Sequence, residues 1–343
     1  MSKAAKTLKR FLMEHNASEI HLSPPSTMNQ IVELESTMQA IDAAKLLWKN
    51  NIVGAPVWDK KTKKYIGFFE MRDILSSVIA ATKMDKEGYD LNSVNMDRFN
   101  EHMVKELAST SDPHLTPSSG LEKVFADVYP PDHTISYLAV RNQFVSCQPG
   151  ASLFDLCECL AKRQCHRVPI LDNSGKCCDI ITQTALIKFI SENCPRNDLQ
   201  ESIKDAQIPY RKTVISTIDS ATASEAFTLL DDHRLSGIAV IDEDGKLIGN
   251  TSARDIKLAA IDEGNIAMDM DILSYLAKVR QSVLKTKERY PSCHVHEDAS
   301  IGHVIDLLAR TGYHRVFVVD EDIRPIGVIS VTDITIFATH DVE

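Results

Sequence analysis

Carboxylates and hydroxyls recur in this chain at fixed distances from one another, and together they could bind a phosphorylated nucleoside. Three aspartates stand at corresponding places, and two of them follow a serine by three positions: Asp73, Asp255 with Ser252, and Asp333 with Ser330. A carboxylate can accept hydrogen bonds from both hydroxyls of a ribose, as acidic residues do in other nucleotide-binding folds. The serine hydroxyls can donate to phosphate oxygens. The pattern therefore predicts ribose binding at the acids and phosphate contacts at the serines.

Basic residues that could hold the phosphates occur at matching offsets. Two His-Arg pairs, His166-Arg167 and His314-Arg315, precede apolar runs, and Arg254 is an additional cation. Cationic side chains form charge-assisted hydrogen bonds with phosphate oxygens, and arginine can form two at once. We therefore expect these five residues to contact phosphate.

Each of these residues also has a purely structural interpretation. An aspartate or a serine at the start of a helix can cap the backbone amides of the first turn. Arg167 and Arg315 could be solvated residues at strand edges. Capping needs one residue, whereas nucleotide binding needs an acid, a hydroxyl and a cation together. Their co-occurrence at matching offsets favours binding.

The acids belong to a stretch that occurs four times. In each copy an aspartate ends one apolar run and a corresponding position follows 13 or 14 residues later, as in Asp59 with Asp73, Asp172 with Ala185, Asp242 with Asp255 and Asp320 with Asp333. Such regular spacing indicates one supersecondary unit used four times.

An amphipathic helix is predicted ahead of each copy. Apolar residues follow an i, i+3, i+4, i+7 pattern that begins at Ala40, Leu153, Ala223 and Ile301. Ser152, Thr222 and Ser300 precede three of these helices and can cap them. Asp244-Gly245 and residues 173–175 predict turns between paired strands. The unit thus reads strand, helix, strand, turn, strand, helix. Because about 50 residues bury too little surface to be stable alone, we expect the units to pair.

These patterns predict an α/β (α+β) fold with four repeats. The expected organisation is an N-terminal segment at residues 1–27, repeat 1 at 28–83, an insertion at 84–140, repeat 2 at 141–194, a linker at 195–210, repeat 3 at 211–261, a linker helix at 262–287 and repeat 4 at 288–343. Within the insertion, residues 96–107 and 121–128 have weakly helical patterns. The linker helix is predicted over residues 265–279.

Composition indicates in which compartment the protein is expected and which classes of partner it does not favour. A net charge of −10 argues against nucleic acid or an anionic membrane as the main partner. No apolar run approaches the length of a membrane span, and the first residues do not resemble a signal peptide. Seven of the eight cysteines lie between Cys147 and Cys194, which suits apolar filling in a reducing compartment better than disulfides. We expect a cytoplasmic or nuclear protein.

Sequence patterns for other chemistries were not found. The chain has no G-x-x-x-x-G-K-[ST] loop, no G-x-S-x-G elbow and no H-E-x-x-H. The cysteines and histidines of residues 157–159, 177–178 and 293–296 do not have the C-x2-C spacing of a structural zinc site. We therefore expect a binding or regulatory protein, not an enzyme, with no metal and no cofactor.

The four units resemble the cystathionine-β-synthase-type (CBS) repeat over about residues 28–342. The resemblance implies that the repeats pair into two Bateman modules, that the modules form a pseudo-symmetric disc, and that adenine nucleotides bind in clefts between repeats. Four copies without a catalytic domain are similar to the γ regulatory subunits of AMP-activated, SNF1-type protein kinases, as are the runs His166-Arg167-Val168-Pro169 and Ser330-Val331-Thr332-Asp333. That similarity implies AMP, ADP or ATP as ligands, energy sensing as the role, and kinase catalytic and scaffold subunits as partners.

The N-terminal repeats depart from the family pattern. Repeat 1 keeps Asp73 but has Glu70 in place of the hydroxyl, and Val53 and Thr184 stand at two basic positions of the family. Repeat 2 has Ala185 in place of the acid. An acid near phosphates is unfavourable, at about 1 kcal/mol or more for a partly buried contact. We therefore expect the site at Asp73 to be impaired and the site at Ala185 to be blank.

The C-terminal repeats retain the fuller set of residues. Asp333 has the complete set and Asp255 ranks next. Upstream of repeat 3, Tyr210 stands at the position of a family threonine associated with the fourth site. One or two competent sites are predicted, both in repeats 3 and 4. Two functions remain open: a nucleotide-sensing regulatory subunit of a kinase, or a CBS scaffold with partly decayed nucleotide sites that regulates a different partner.

Overall fold

Each predicted helical stripe forms a helix that begins at the predicted residue. The computed structural model describes residues 2–20, 31–76, 79, 134–162, 165–256, 268–283 and 292–339. An N-terminal helix, α1, spans Lys3–Glu14. Repeat 1 contains β1 (Leu34–Glu35), α2 (Ala40–Lys49), β2 (Gly54–Asp59) and β3 (Lys64–Glu70), followed by helical residues 71–76, and α3 (Ser136–Ala139) follows the insertion.

The other repeats follow the same order of elements. Repeat 2 contains α4 (Leu153–Lys162), β4 (Arg167–Leu171), β5 (Cys177–Thr182) and α5 (Gln183–Asn193), and α6 (Ile203–Ala206) lies in the linker. Repeat 3 contains β6 (Ser216–Ile218), α7 (Ala223–Asp232), β7 (Gly237–Ile241), β8 (Leu247–Ser252) and the 3-10 helix Ala253–Ile256, followed by α8 (Ile272–Val283). Repeat 4 contains β9 (His294–Val295), α9 (Ile301–Thr311), β10 (Arg315–Val319), β11 (Pro325–Ser330) and α10 (Val331–Thr339). The predicted mixed fold of repeated units is confirmed.

The helix caps and the turns are also confirmed. The hydroxyls of Ser152, Thr222 and Ser300 accept hydrogen bonds from the backbone N–H three residues later, at 3.1, 3.2 and 3.2 Å. Gly175 and Gly245 adopt φ of +79° and +80°, the left-handed conformation that glycine tolerates in a tight turn. Each antiparallel hairpin shifts register near the end of its first strand, between Val57/Trp58, Ile170/Leu171, Val240/Ile241 and Val318/Val319.

The linker helix begins later than predicted. The expected start was residue 265, but α8 begins at Ile272 because Asp271 caps it, accepting from the N–H of Ser274 at 2.8 Å. Residues 265–267, and the weakly helical segments predicted at 96–107 and 121–128, lie outside the described residues. In the part of the chain that the structure describes, no helix is both long and apolar enough to cross a membrane.

Strand contacts join repeats 1 and 2, and separately repeats 3 and 4. The N–H of Cys177 in β5 donates to the hydroxyl of Tyr65 in β3 at 3.1 Å. In the other pair, the N–H of Leu247 donates to the carbonyl of Ile323 at 2.9 Å. Phe317 and Val319 pack with Ala239 across that pair. These contacts form the two predicted modules.

The strands join the two repeats of one module, whereas the helices pack repeats of different modules together. One core combines helices of repeats 2 and 4 with α1, and a second combines helices of repeats 1 and 3 with α8. Hydrogen bonds of 2.6 Å reinforce both interfaces, from Ser191 to Asp306 and from Ser76 to Asp231. Each repeat therefore contacts one neighbour through its sheet and another through its helices, which brings the strand-to-helix junctions of all four together.

Candidate functional site

In repeat 4, Ser330 and Asp333 form a reciprocal hydrogen-bonded pair where β11 meets α10. The N–H and the hydroxyl of Ser330 both donate to Oδ2 of Asp333 at 2.7 Å, and the N–H of Asp333 donates back to the serine hydroxyl at 3.2 Å. This is the capping-box arrangement, with serine as the cap and aspartate three positions later. The purely structural interpretation took the aspartate as the helix cap, but the cap is the serine.

Repeat 3 has the same contact between its serine and its aspartate. The N–H and the hydroxyl of Ser252 donate to Oδ2 of Asp255 at 2.8 and 2.9 Å. Among the described residues, the hydrogen bonds to Asp255 and Asp333 all reach Oδ2. Oδ1 of each aspartate is therefore left as an acceptor for a ligand. Burial raises the pKa of Asp333, while the bonds from Ser330 and the charge of Arg211 oppose the rise.

Arg167 and Arg315 cross from the even repeats to the odd ones. Nη1 of Arg167 donates to the carbonyl of Gly54 at 2.8 Å, and Nη2 of Arg315 donates to the hydroxyl of Ser236. Only 7% and 9% of these two arginines is exposed, so they are not solvated edge residues.

A glycine lies where each arginine ends, and a side chain there would displace the guanidinium group. A Cβ on Gly237 would stand 1.5 Å from Nη1 of Arg315, and a Cβ on Gly54 would stand 2.7 Å from Nη1 of Arg167. Sequence reasoning missed these two glycines and Ser236. The signal was available, because both glycines begin a strand at the same position in repeats 1 and 3.

Basic residues from all four repeats lie near one another at the strand-to-helix junctions. We call this set, Arg72, His166, Arg167, Arg254, His314 and Arg315, the central basic cluster. The rings of His166 and His314 face each other with centroids 6.5 Å apart. Arg72 was not predicted as a site residue, although it occupies the same position in repeat 1 as Arg254 in repeat 3.

Burial and mutual repulsion govern ionisation in the central basic cluster. Burial, then the charges of Arg315, His166, Arg254 and Arg167, lower the pKa of His314 to about 3. Burial and the charge of Arg72 lower the pKa of Arg315 to about 10, while Asp255 opposes the shift. Burial lowers the pKa of His166 as well. The histidines are therefore neutral at pH 7, and arginine supplies the positive charge, whereas the sequence had suggested cationic His-Arg pairs.

The corresponding acid of repeat 1 is held by the protein itself. Oδ2 of Asp73 accepts from the N–H of Glu70 at 2.8 Å and from Nδ2 of Asn142 at 2.9 Å. Burial raises the pKa of Asp73 to about 7, against the charge of Arg141 and these hydrogen bonds. Asn142 also pairs with β3 through Phe68, donating to its carbonyl and accepting from its N–H, both at 3.0 Å. This residue was missed because it comes from the start of repeat 2 and not from repeat 1.

Glu70 forms an ion pair with the crossing arginine. Its Oε1 lies 3.2 Å from Nε of Arg167, and the two side chains are 16% and 7% exposed. Nε has no aligned hydrogen-bond acceptor, so the contact is mainly one of charge. The ring of Phe68 lies 5.9 Å from the same guanidinium.

Repeat 2 keeps the hydroxyl and has lost the acid. The hydroxyl of Thr182 accepts from the N–H of Ala185 at 3.1 Å, which is the capping half of the arrangement seen in repeat 4. Gln183 occupies the junction and donates to the hydroxyl of Thr332 at 2.9 Å. Val53 and Thr184 offer no cation, as expected from their types.

Tyr210 packs on the hairpin of repeat 4. Its hydroxyl donates to Glu297 at 2.5 Å, and its ring lies against Gly327, where a Cβ would approach within 2.3 Å. The next residue, Arg211, accepts from the N–H of Val328 at 2.9 Å, just as Asn142 accepts from Phe68 in repeat 1. The first residues of repeats 2 and 3 therefore run beside equivalent hairpins, and repeat 4 receives an arginine where repeat 1 receives an asparagine.

No metal site was found in the part of the chain that the structure describes. Histidine, cysteine and acidic side chains there do not form a group of three that could hold an ion. The eight cysteines are free thiols, and burial raises the pKa of Cys157 above its ordinary value.

A family model matches three segments of the chain. The CBS domain model covers residues 135–192, 206–262 and 289–338, which overlap repeats 2, 3 and 4. Repeat 1 has the same order of elements. The boundaries predicted between the repeats stay predictions.

Curated relatives extend over nearly all of the chain. The 5'-AMP-activated protein kinase subunit gamma-3 of Homo sapiens is 26% identical over 335 residues, 96% of this chain and 60% of the relative. Protein SDS23 of Scheffersomyces stipitis is 27% identical, covering 95% and 62%, and the 5'-AMP-activated protein kinase subunit gamma of Saccharomyces cerevisiae is 21% identical, covering 96% and 92%. The chain thus spans about three fifths of the length of the first two relatives.

A solved structure has the same fold. Protein MJ1225 of Methanocaldococcus jannaschii, described as a candidate archaeal homologue of γ-AMPK, matches with a TM-score of 0.59 and 14% identity, covering 93% of this chain and 98% of that one.

Proposed function

We propose that the chain, which matches the CBS domain model in three segments and is similar to γ subunits of AMP-activated protein kinase, is a regulatory, non-catalytic subunit that binds adenine nucleotides. The ligands are AMP, ADP or ATP, and the clefts of repeats 3 and 4 are the binding sites. In this proposal Asp333 and Asp255 bind ribose, while Ser330, Ser252, Arg315 and Arg254 contact phosphate.

The observation that carries the proposal is the central basic cluster, in which Arg167 and Arg315 are buried, beside two capped carboxylates. Burying several cations together is costly unless an anion compensates them. The charges of Glu70 and Asp255 compensate the cluster in part, a nucleotide adds further negative charge, and its ribose hydroxyls suit the carboxylate oxygen that the capping contact does not use. His314, being neutral, donates one hydrogen bond without adding charge.

We expect Asp333→Ala to weaken nucleotide binding at repeat 4 by roughly tenfold or more, because the ribose loses a charged acceptor worth about 1.5–3 kcal/mol. Isothermal titration calorimetry with AMP, ADP and ATP measures the loss. Asp205→Ala is the matched control, because Asp205 forms the same type of contact with Ser202 at an exposed helix start. A full loss of affinity in the control, or no heat from the wild type at millimolar nucleotide, would contradict the proposal.

The partner in this proposal is a protein kinase of the AMP-activated, SNF1 type, contacted through its catalytic and scaffold subunits in the cytoplasm or nucleus. Sensing requires AMP and ATP to favour different bound states, with a coupling of about 1–3 kcal/mol. Affinity purification from the source cell, with AMP or ATP in the buffer, should recover kinase subunits in a nucleotide-dependent amount. Recovery of a channel or a metabolic enzyme in their place would overturn the kinase assignment.

A CBS scaffold without nucleotide sensing is the second candidate. The N-terminal pair favours it, because Asp73 is satisfied by Asn142 and Ala185 offers no acid. The calorimetry separates the two, since a scaffold would give no heat in any repeat.

A further inference from the structure

Glu70 is an acid placed inside a cluster of cations. It lies 3.2 Å from Arg167, and its side chain is 16% exposed. Burial lowers the pKa values of Arg72 and His166, and the charge of Glu70 opposes both shifts. One carboxylate of repeat 1 therefore acts on three members of the central basic cluster.

The equivalent position in the C-terminal pair is neutral. Ser252 and Ser330 stand at the offset of Glu70, and Arg315, the counterpart of Arg167, donates to the hydroxyl of Ser236. The cluster is therefore asymmetric. On its N-terminal side Glu70 forms an ion pair with Arg167, while on its C-terminal side Arg315 contacts a hydroxyl and is influenced by the charge of Asp255.

A fixed acid near a phosphate site discriminates by charge. Repulsion between like charges grows with the ligand's charge and is strong where solvent is partly excluded. Repulsion from the acid weakens the binding of a triphosphate that extends into the cluster more than the binding of a monophosphate at the edge of the cluster. Such repulsion is a common way to obtain specificity.

We propose that Glu70 is a built-in anion that limits how many ligand phosphates the central basic cluster accepts, so that it disfavours triphosphates relative to monophosphates. The inference rests on the proposed nucleotide binding and concerns its selectivity. Glu70 acts through Arg167 and through repulsion, as a specificity-determining residue.

Glu70→Gln tests the charge while keeping the size of the side chain. Calorimetry on the full chain should show the Kd for ATP falling by roughly tenfold or more, and the Kd for AMP changing by less than about threefold, since removal of one like charge is worth about 1.4 kcal/mol or more. Glu192→Gln is the control for net charge, because Glu192 pairs with Lys188 at 3.8 Å on the exposed side of α5. It should change neither constant.

Two further variants keep the test decisive. Glu70→Gln with Arg167→Met removes both charges, so the gain in ATP affinity should disappear. Glu70→Asp retains a counter-ion in the event that the glutamine variant does not fold, and should give an intermediate ratio of the two constants. Equal changes in the AMP and ATP constants, or an unchanged ratio in Glu70→Gln, would overturn the inference.

Inorganic tripolyphosphate separates this inference from the proposed function. Its stabilisation of the chain, measured as a rise in Tm, should be larger in Glu70→Gln than in the wild type. Such a difference in a protein that binds neither AMP nor ATP would reject nucleotide binding and keep the role of Glu70. If the wild type and Glu70→Gln both bind nucleotides with the same ratio of the Kd for AMP to the Kd for ATP, the role of Glu70 is rejected and nucleotide binding is kept.

Discussion

At the scale of single residues, Asp73 is a carboxyl group held where ionisation is costly. Only 3% of the residue is exposed, and burial raises its pKa to about 7 despite hydrogen bonds from Glu70 and Asn142. A carboxyl group that is protonated in about half of the molecules at neutral pH is a poorer acceptor for ribose hydroxyls than a carboxylate. Burial therefore gives a second physical reason, besides Glu70, to expect weak binding in repeat 1.

Asp73 also predicts how stability depends on pH. Its folded pKa of about 7 lies above the unfolded value of about 3.9, so the folded state binds more protons between these values. The contribution of Asp73 to the free energy of unfolding is therefore most favourable below about pH 4 and falls as pH rises to about 7. Asp73→Asn does not titrate and can still accept both hydrogen bonds. Relative to wild type, it should gain roughly 1–3 kcal/mol between pH 5 and pH 8.

Urea denaturation of both proteins at pH 5 and pH 8 measures that difference. Asp205→Asn is the control, because Asp205 forms the same type of contact with the capping Ser202 at an exposed helix start. Parallel profiles for wild type and Asp73→Asn would show that Asp73 ionises normally in the folded protein.

Residue types at the site were predictable, but their partners were less so. Repetition of the offset between serine and aspartate identified Ser330 and Asp333, because that contact is local in the chain. Asn142 reaches Asp73 from 69 positions away, and Arg167 reaches Gly54 from 113 positions away. Contacts of this kind depend on how two repeats pair, which the pattern within one repeat does not specify.

At the scale of elements, local signals determined the helices and hairpins. The apolar stripes at Ala223 and Ile301 and the hydroxyls before them located two helix starts, because capping and burial of one face both act within a single helix. The start of the linker helix was predicted less well. A helix was expected from residue 265, but Asp271 supplies the cap that sets the start at Ile272.

The four repeats differ in the capping contacts at the junction between the hairpin and the helix that follows it. Repeat 4 has both halves of the capping box, repeat 2 has only the hydroxyl half through Thr182, and repeat 1 has only the acid half through Asp73. The fold tolerates these losses because each junction is also held by packing of its hairpin. The junction can therefore change its chemistry from repeat to repeat while its backbone stays the same.

At the scale of the whole molecule, the two modules share their cores. Leu308 and Phe337 of repeat 4 are fully buried in one cluster with Leu156 and Leu186 of repeat 2. Burial of such side chains is worth about 1.5–3 kcal/mol each. A module separated from its partner would expose this face, so the chain should not behave as two independent domains.

We therefore predict that residues 195–343, expressed alone, self-associate. The exposed faces of α9 and α10 form an apolar patch that a monomer in water does not tolerate. Size-exclusion chromatography should show a dimer or larger species, and Leu308→Glu should reduce association by placing a charge on that face. Adding residues 1–194 should convert the fragment to a heterodimer whose near-ultraviolet circular dichroism matches the intact chain. A monomeric fragment with that same spectrum would mean that the C-terminal module folds without the shared cores.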